Sequence, residues 1–572
     1  MKRCVCLAAA AALLTLAGCN GAEETQVRIE PAPETQRTLA QGEIVGFHSG
    51  EAASAWLAIP YAAPPQGDLR WRAPRPALAF EDGRLEAIEH GAVCPQVTNE
   101  LSARAAGVEA GVLIGEEDCL TLDIYAPREA APEAGLPVMV WIHGGANVWG
   151  SSSAYDGSQL AAERDVVVVA VQYRLGPLGF LSHPALRESA GHPLDEAANF
   201  ALLDLVAALD WVDANITAFG GDADRITIFG ESAGAFNIAA LMASEPARGR
   251  FDAAIMQSGG TGTNSREVAE NGGGNDLHPA LEAVAAFAGP DADGAAMRAV
   301  PLEDVYAVYR DESGAFTSLP RMIEDGVSLP EDGILGAAAR PGGFAPVPLI
   351  TGANRDEMKL YTAFDPQLTR RLGPLVWPRD VARYQAAVEY PSRSWRVGAV
   401  DDLLDRLRSA GHEDLWAYRF DWDEGGKVLL TDTGILLGAS HAMEIPFVFN
   451  HFELFGPFDR VLFNDRNAQG RAALADAMGG YWGQFAHTGE PGTGGGAGLE
   501  WPRWGETARL MRFDTPADGG PEVMTGRDTP AAIAADLAAD TRLQPSGRCA
   551  VAAGIMRRQP AIAQAFESGM DC

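Results

Sequence analysis

The sequence predicts an α/β fold in which a mostly parallel β-sheet lies between layers of helices. Short, continuous apolar runs such as residues 138–142 and 166–171 recur along the chain, and such runs are typical of strands covered on both faces. Residues 196–212, which lie between the second of these runs and a further run at 226–229, carry apolar residues at helical spacing. Alternation of strands and helices indicates parallel pairing, because each parallel connection must cross the sheet.

Further apolar runs predict strands later in the chain, at residues 226–229, 253–256, 348–351 and 415–420. Residues 260–345 are different, because they are richer in Gly, Ala and charged residues and have weak strand signals. We expect this stretch to form a helical insertion over the sheet.

The composition excludes some kinds of partner. The chain has 572 residues and a net charge of −33, from 77 acidic and 44 basic residues. Nucleic acid is not an expected partner, since a phosphate backbone requires Lys and Arg. The overall charge also disfavours electrostatic attachment to anionic lipid. A field of this sign can attract cationic ligands, although a well-solvated acidic surface is the simpler interpretation.

The N-terminus has the pattern of a targeting segment. Lys2 and Arg3 precede an apolar run, residues 4–16, which is too short to span a membrane and matches a signal-peptide core. The run ends in Leu-Ala-Gly-Cys19, which resembles the lipobox of bacterial lipoproteins. We expect residues 1–18 to be the signal peptide and Cys19 to be acylated, so that the protein is exported and anchored to the cell envelope. Cleavage at another position would make it an ordinary secreted protein.

The remaining boundaries follow from composition and cysteine positions. Residues 19–40 are polar, contain two prolines and are predicted to be a flexible tether. Four cysteines remain after the signal peptide and Cys19, and an even number in an exported protein suggests two disulfides. Proximity favours Cys94–Cys119 and Cys549–Cys572. We therefore expect one domain over residues 41–545 and a disulfide-closed tail over 546–572. No pair of cysteines has the spacing of zinc ligands, and the sequence predicts no metal or cofactor.

The motif Gly-Glu231-Ser232-Ala233-Gly carries the sharpest chemical signal. A G-x-S-x-G pentapeptide alone is weak, but here a predicted strand precedes it and a predicted helix, residues 233–243, follows. Strand, tight turn and helix make a nucleophile elbow, in which the serine lies at a helix N-terminus where developing negative charge is favoured. Ser232 is therefore predicted to be a nucleophile.

Such a nucleophile requires donors for the oxyanion. The backbone N–H of Ala233 is one candidate, and the small-residue loop that starts at His143 and contains Gly145 and Ala146 follows a predicted strand and supplies others. His143 itself is interpreted as a structural hydrogen-bonding residue, because it leads this loop.

Serine also requires a base and an acid that orients the base. In the order Ser, acid, His, the acid should follow a strand, and both Asp356 and Glu357 do so after residues 348–351. Several histidines lie downstream of Ser232, and spacing leaves both choices open. The candidates are His278, His412, His441, His451 and His487.

The chain resembles the type-B carboxylesterase and cholinesterase family over roughly residues 41–515. The matching segments occur in the family's order: residues 59–71, 117–120, 143–147, 219–222, 230–234, 352–357, 441–449 and 481–491. The resemblance implies an α/β-hydrolase fold with helical insertions over the active site, and an esterase whose triad is Ser232, Glu357 and His441. It places the oxyanion donors at Gly145, Ala146 and Ala233. It also supports the Cys94–Cys119 disulfide and suggests an Arg70–Glu117 ion pair that holds that loop.

Two departures from the family pattern narrow the expected substrate. The segment between Cys94 and Cys119 contains no Trp, so the aromatic group that cradles choline in cholinesterases is missing there. Asn147 stands where many relatives carry an aromatic residue, which predicts a more polar acyl pocket. Glu231 is expected either to favour the imidazolium or to be a buried structural carboxylate.

We expect the partner to be a small-molecule ester, with membrane contact only through the N-terminal lipid. The same triad is compatible with a lipase, an amide or carbamate hydrolase or a thioesterase. A non-catalytic binding member of the fold is a further alternative, but such members typically lack an intact triad. The sequence makes no prediction about oligomeric state.

Overall fold

A computed structural model describes residues 29–99, 103, 107–273, 279–310, 322–373, 375–496, 498–570 and 572. The predicted signal peptide, residues 1–18, and the predicted acylation site Cys19 lie outside this range, as does His278.

A central sheet of eleven strands organises the chain. In chain order its strands are β1 Phe47–Ser49, β2 Ala53–Pro60, β3 Thr121–Pro127, β4 Leu136–Ile142, β5 Val167–Val171, β6 Gly221–Glu231, β7 Ala253–Gln257, β8 Leu349–Asn354, β9 Leu415–Phe420, β10 Arg509–Phe513 and β11 Glu522–Thr525. Their order across the sheet is β11-β10-β9-β8-β7-β6-β4-β5-β3-β2-β1. The seven strands from β10 to β5 pair in parallel, and the pairs at both edges are antiparallel.

Twenty α-helices lie among the described residues. They are α1 Ser158–Arg164, α2 Gly176–Gly179, α3 Pro184–Glu188, α4 Phe200–Asn215, α5 Ala233–Ala243, α6 Arg266–Asn271, α7 Ala280–Phe287, α8 Gly294–Arg298, α9 Leu302–Ala307, α10 Gly333–Ala338, α11 Lys359–Thr362, α12 Val381–Arg396, α13 Asp402–Ser409, α14 Thr433–Leu436, α15 Ile445–Phe449, α16 Asp459–Leu462, α17 Ala468–Thr488, α18 Pro530–Ala539, α19 Pro545–Arg558 and α20 Ala563–Gly569. Within the described part of the chain, every helix is too short or too polar to span a membrane.

Both faces of the sheet are buried, as continuous apolar strands predict. In β4, Val138, Val140 and Ile142 join a core with α4, α5 and α10, whereas Met139 and Trp141 join a second core with α1, α15 and α17. The α/β prediction is therefore confirmed, and the antiparallel edges make the sheet mixed rather than uniformly parallel.

Two predicted helical regions differ in detail from the structure. The helix expected at residues 196–212 begins at Phe200, because the N–H of Ala198 donates to Asp325 at 2.7 Å and Asn199 donates to the carbonyl of Ile323, which holds the chain extended before the helix. The described parts of the stretch 260–345 contain five short helices, α6 to α10, together with a two-residue parallel bridge between 264–265 and 323–324.

The chain joins the folded domain before residue 41. Arg37–Leu39 pairs with Gly42–Val45, and the indole N–H of Trp56 donates to the carbonyl of Thr35. The last part of the stretch 19–40, which the sequence predicts to be a tether, is thus packed on the domain.

The C-terminal helices α18 to α20 pack against α12. Their shared apolar core includes Tyr390 from α12 together with Ile533, Leu537 and Phe566. Oγ of Ser394 donates to Oε1 of Gln559 at 2.9 Å, and Nε2 of Gln559 donates to the carbonyl of Ser394 at 3.1 Å. This tail therefore braces α12, which also borders the site described next.

Candidate active site

Ser232 occupies a sharp turn between β6 and α5. Its backbone has φ 54° and ψ −122°, a conformation that a side chain adopts only where the surroundings enforce it. A methyl group at Gly230 or at Gly234 would collide with the carbonyl oxygen of Ile142 at the end of β4. Both motif glycines are thus required by close approach of the backbone, and the turn presents Ser232 at the carboxyl edge of the sheet.

The predicted oxyanion loop follows β4 and lies beside this turn. Gly145, Ala146 and Asn147 have φ values of 103°, 56° and 58°. A methyl group at Gly144 would lie 3.2 Å from Cβ of Ser232, so the loop backbone passes close to the serine.

Backbone N–H groups are available at this point. Among the described residues, neither the N–H of Gly145 nor that of Ala146 donates to another protein group. Ala233 is the first residue of α5, where the N–H groups have no intrahelical partner.

An amide pair joins the oxyanion loop to helix α5. Asn147 Nδ2 donates to Oδ1 of Asn237 at 3.0 Å, and Asn237 Nδ2 donates to Oδ1 of Asn147 at 2.9 Å. Asn237 is buried in the second turn of α5. The side chain of Asn147, which the sequence assigns to a more polar acyl pocket, is therefore committed to holding the loop against the helix.

His441 and Glu357 meet in the interior beside the turn. Nδ1 of His441 donates to Oε2 of Glu357 at 2.6 Å, and the backbone N–H of Asn354 at the end of β8 donates to Oε1 of Glu357 at 2.7 Å. Both side chains are buried. This bond places the proton on Nδ1 in the neutral imidazole and leaves Nε2 as the acceptor.

The structure separates Glu357 from its neighbour Asp356. Asp356 pairs with Arg355 at 2.9 Å and with Lys359 at 3.0 Å. Although burial opposes its charge, these two cations keep the pKa of Asp356 below its usual value. Asp356 is thus paired with two cations, whereas Glu357 is paired with His441.

The other described histidine candidates lie elsewhere. Nε2 of His487 is 2.9 Å from the carbonyl of Arg164. Burial lowers the pKa of His412, and His451 donates its backbone N–H to the carbonyl of Pro446. His143 is fully buried, stacks on Tyr173 with ring centroids 4.4 Å apart, and donates from Nδ1 to the carbonyl of Gly144.

Two further buried carboxylates, those of Glu231 and Glu444, lie near His441. Oε1 of Glu231 lies 3.1 Å from Nε2 of His441. Glu444, one turn after the histidine, accepts from Nδ2 of Asn354 at 2.5 Å. Sequence reasoning missed Glu444, although its place three residues after His441 in an apolar segment is the signal that could have identified it.

These charges shift the titration of the cluster. Burial lowers the pKa of His441, but the negative charges of Glu231 and Glu357 outweigh it and raise that pKa to about 9. Burial also raises the pKa of Glu231 well above its usual value and raises that of Glu444 to about 7. Since Glu231 and His441 are in contact, they compete for one proton and titrate as a pair.

Two aromatic rings lie against the imidazole. The ring centroids of Trp395 on α12 and Tyr361 on α11 are 4.8 and 5.6 Å from that of His441. The indole N–H of Trp395 donates to the carbonyl of Gly259 at 3.0 Å. Neither residue belongs to a motif, so no sequence signal identifies them.

The predicted supports of the 94–119 loop are in place. Cys94 and Cys119 form a disulfide, and Arg70 contacts both carboxylate oxygens of Glu117 at 2.6 Å. A second disulfide joins Cys549 and Cys572 in the tail. Among the described residues, no group of three or more His, Cys, Asp or Glu side chains is arranged to hold a metal ion.

Comparison with known proteins identifies the family. The model of the carboxylesterase family matches residues 33–373. The para-nitrobenzyl esterase of Bacillus subtilis (strain 168) is 33% identical over 499 residues, which cover 82% of this chain and 93% of that protein. The fumonisin B1 esterase of Sphingopyxis macrogoltabida is 32% identical over 516 residues, covering 85% and 88% of the two chains.

Solved structures agree with the sequence relatives. A crystal structure of a carboxylesterase from Geobacillus stearothermophilus matches with a TM-score of 0.65 and 31% identity, and it covers 86% of this chain and 97% of that one. A PNB esterase matches with a TM-score of 0.64 and 30% identity over the same shares. The α/β-hydrolase fold is thereby confirmed, and the chain belongs to the carboxylesterase family of carboxylic ester hydrolases.

Proposed function

We propose that this chain is a serine carboxylesterase that cleaves small carboxylic esters through an acyl-enzyme on Ser232. The observation that carries the proposal is the short bond from Nδ1 of His441 to Glu357, beside a serine held in an elbow. It supports His441 as the base and Glu357 as the group that fixes its tautomer.

In the first half-reaction, Oγ of Ser232 attacks the ester carbonyl carbon while its proton passes to Nε2 of His441. The oxyanion accepts hydrogen bonds from the N–H groups of Gly145, Ala146 and Ala233. The intermediate collapses as the alcohol leaves with the proton from Nε2. Water then attacks the acyl carbon while one of its protons passes to Nε2 of His441. The second intermediate collapses as Oγ of Ser232 leaves and takes that proton, which releases the acid and restores Ser232.

The direct test is Ser232→Ala, measured with a short-chain p-nitrophenyl ester. We expect the rate to fall by roughly ten-thousand-fold or more, because the nucleophile is lost while binding is retained. Ser409→Ala on the exposed end of α13 is the matched control and should keep the full rate. Full turnover in Ser232→Ala would refute the nucleophile, and an inactive unsubstituted protein would favour a non-catalytic role.

The triad itself does not choose the bond to be cleaved. Lipase, amide or carbamate hydrolase and thioesterase activity remain the alternatives to a carboxylesterase. A panel of acyl compounds with a shared acyl group and different leaving groups separates them. We expect the highest kcat/KM with small esters, and a preference for long-chain, amide or thioester members would reassign the substrate class.

We also propose that the protein is exported and attached to the cell envelope through a lipid on Cys19. The basic start, the short apolar run and the lipobox-like ending support this. Cys19→Ser should move the protein from the membrane fraction to the soluble fraction. Unchanged partition of that variant, with a native membrane lipoprotein as the control for fractionation, would contradict acylation at Cys19.

A further inference from the structure

Two short hairpins project beside the candidate active site. The first pairs Thr369–Leu372 with Leu375–Pro378, and the second pairs Lys427–Val428 with Thr431–Asp432. The backbone N–H of Val376 donates to Oγ1 of Thr431 at 2.9 Å. Each of these two residues stands next to its own hairpin tip, so the two tips lie side by side.

Exposed residues of both tips form what we call the hairpin surface. Its members are Arg370, Arg371, Leu372, Lys427, Val428, Leu429 and Leu430. Leu372, Leu429 and Leu430 are 66%, 77% and 56% exposed. Fourteen large apolar side chains are exposed among the described residues, and seven of them lie within 361–381 and 428–430. Apolar exposure concentrated in this way marks an interaction site, whereas scattered single residues do not.

The charge of the hairpin surface is opposite to that of the whole chain. Its members include three basic residues and no acidic one in a chain with a net charge of −33, and acidic residues flank these members in sequence: Asp365, Asp380, Asp423, Glu424 and Asp432. In the described part of the structure, no carboxylate pairs with Arg370 or Arg371, whose side chains are exposed. Lys427 lies 3.4 Å from Asp432 at the base of the second hairpin. The apolar tips are thus flanked by two arginines that have no carboxylate partner among the described residues, and by Lys427, which pairs with Asp432.

The hairpin surface lies close to the candidate site, because Val376 of the first hairpin shares an apolar cluster with Leu436, and Trp395, which lies against His441, packs on that cluster. Tyr361, whose ring lies against His441, is half exposed on α11. The chain runs from α11 through the exposed Phe364 into the first hairpin within seven residues. A partner bound to the hairpin surface is therefore near the segment that carries Tyr361.

In contrast to the expectation from overall composition, which limits membrane contact to the N-terminal lipid, we propose that the hairpin surface binds the surface of a phospholipid bilayer that contains anionic lipids. The leucines enter the interface between headgroups and acyl chains, while Arg370 and Arg371 meet lipid phosphates. The rest of the acidic chain is repelled by the same membrane, so this patch is the face that turns toward it. Projecting tips suit a deformable interface, whereas a second copy of the chain would need a recess to receive them. The proposal does not depend on the proposed chemistry of Ser232.

The test uses the chain from Asn20 onward, which omits the signal peptide and Cys19 but contains every described element. Binding to sedimenting vesicles of phosphatidylcholine with phosphatidylglycerol is compared with binding to phosphatidylcholine alone. We expect binding to the anionic vesicles that weakens with added salt. Leu372→Ser combined with Leu429→Ser and Leu430→Ser should reduce the partition coefficient by about tenfold or more. Arg370→Gln with Arg371→Gln should reduce it roughly tenfold on anionic vesicles alone.

Leu78→Ser with Leu499→Ser is the matched control, since both leucines are exposed outside the hairpin surface. This control should bind as the unsubstituted chain does, and all variants should keep their melting temperature and their turnover of a soluble ester. The proposal is overturned if the unsubstituted chain binds neither vesicle, or if the leucine variant binds as well as the control. It is also overturned if sedimentation velocity shows a dimer that the leucine variant loses, because the surface then receives a second copy.

Discussion

His441 stands among three buried carboxylates, and this decides how the site responds to pH. Glu357 bonds Nδ1, Glu231 lies 3.1 Å from Nε2, and Glu444 is held behind them by Asn354. A base next to so much negative charge keeps its proton to higher pH than a free imidazole does. The same negative charges stabilise the imidazolium that forms in the proposed reaction. They also keep His441 protonated, and therefore unable to act as a base, until the pH is higher.

This balance predicts the effect of Glu231→Gln. The amide removes a negative charge next to Nε2, so the pKa of His441 falls and the imidazole is free to accept a proton at lower pH. The acidic limb of the pH profile of kcat/KM should move down by about one pH unit. Glu245→Gln on an exposed turn is the control and should leave the profile in place. An unchanged limb, or one that moves to higher pH, would contradict the account.

The sequence identifies which residue types the candidate site contains, but not how their side chains are oriented. Asp356 and Glu357 both follow β8 and are chemically equivalent there, so the local pattern left them open and the family resemblance chose Glu357. In the structure, Arg355 and Lys359 hold Asp356 away from His441. Trp395 and Tyr361 could not be foreseen, because helices distant in sequence bring them onto the imidazole.

At the scale of elements, the pair Asn147–Asn237 links the oxyanion loop to the helix that starts at Ala233. Proposed donors on both elements therefore keep a fixed spacing through two side-chain hydrogen bonds. Three successive positive φ values in the loop are held by such contacts.

We expect Asn147→Ala to lower kcat by about tenfold to a hundredfold with little change in KM, because misplaced donors affect the transition state more than the bound ester. Asn237→Ala should act alike, and the double variant should be no worse than either single one. Asn215→Ala, at the far end of α4, is the control for amide removal. Additive losses, or a rise in KM with kcat unchanged, would show that the pair does not position the donors.

The tail provides a second element-scale prediction. Helices α18 to α20 brace α12, and the Cys549–Cys572 disulfide closes a loop of that tail between cysteines separated by 23 positions in sequence. Cys549→Ser with Cys572→Ser should lower the free energy of unfolding of the tail by about 3 kcal/mol, since the open loop has more freedom when unfolded. Limited proteolysis should then cut the tail first, while kcat at low temperature stays near its original value. Equal protease resistance with and without the disulfide would contradict this role.

At the scale of the whole molecule, sequence predicted the α/β class and most strand positions, but not the order of strands. Continuous apolar runs mark strands buried on both faces, and β4 to β9 follow that rule. In the sheet, β4 lies between β6 and β5, so strand order departs from chain order at this point. This arrangement and the antiparallel edges depend on pairings between distant segments that no local pattern encodes. The hairpin surface was hidden in the same way, because the overall charge of −33 masks a local excess of arginine.

The overall charge makes its own prediction about encounter rates. A field of this sign attracts cations, and salt screens it. For an ester with a trimethylammonium alcohol, kcat/KM should fall as ionic strength rises, whereas its uncharged carbon isostere should show little change. The isostere is the control for effects of salt on the protein. Equal salt dependence of the two esters would show that the charge only serves solvation.

Covalent labelling shows which residue of the protein is the nucleophile. The protein is treated with a fluorophosphonate, digested and examined by mass spectrometry of its peptides, alongside His441→Ala as the control that lacks the proposed base. We expect one adduct, on Ser232, formed rapidly in the unsubstituted protein and slowly or not at all in His441→Ala. An adduct on another residue, or ester turnover that survives without any label on Ser232, would contradict it.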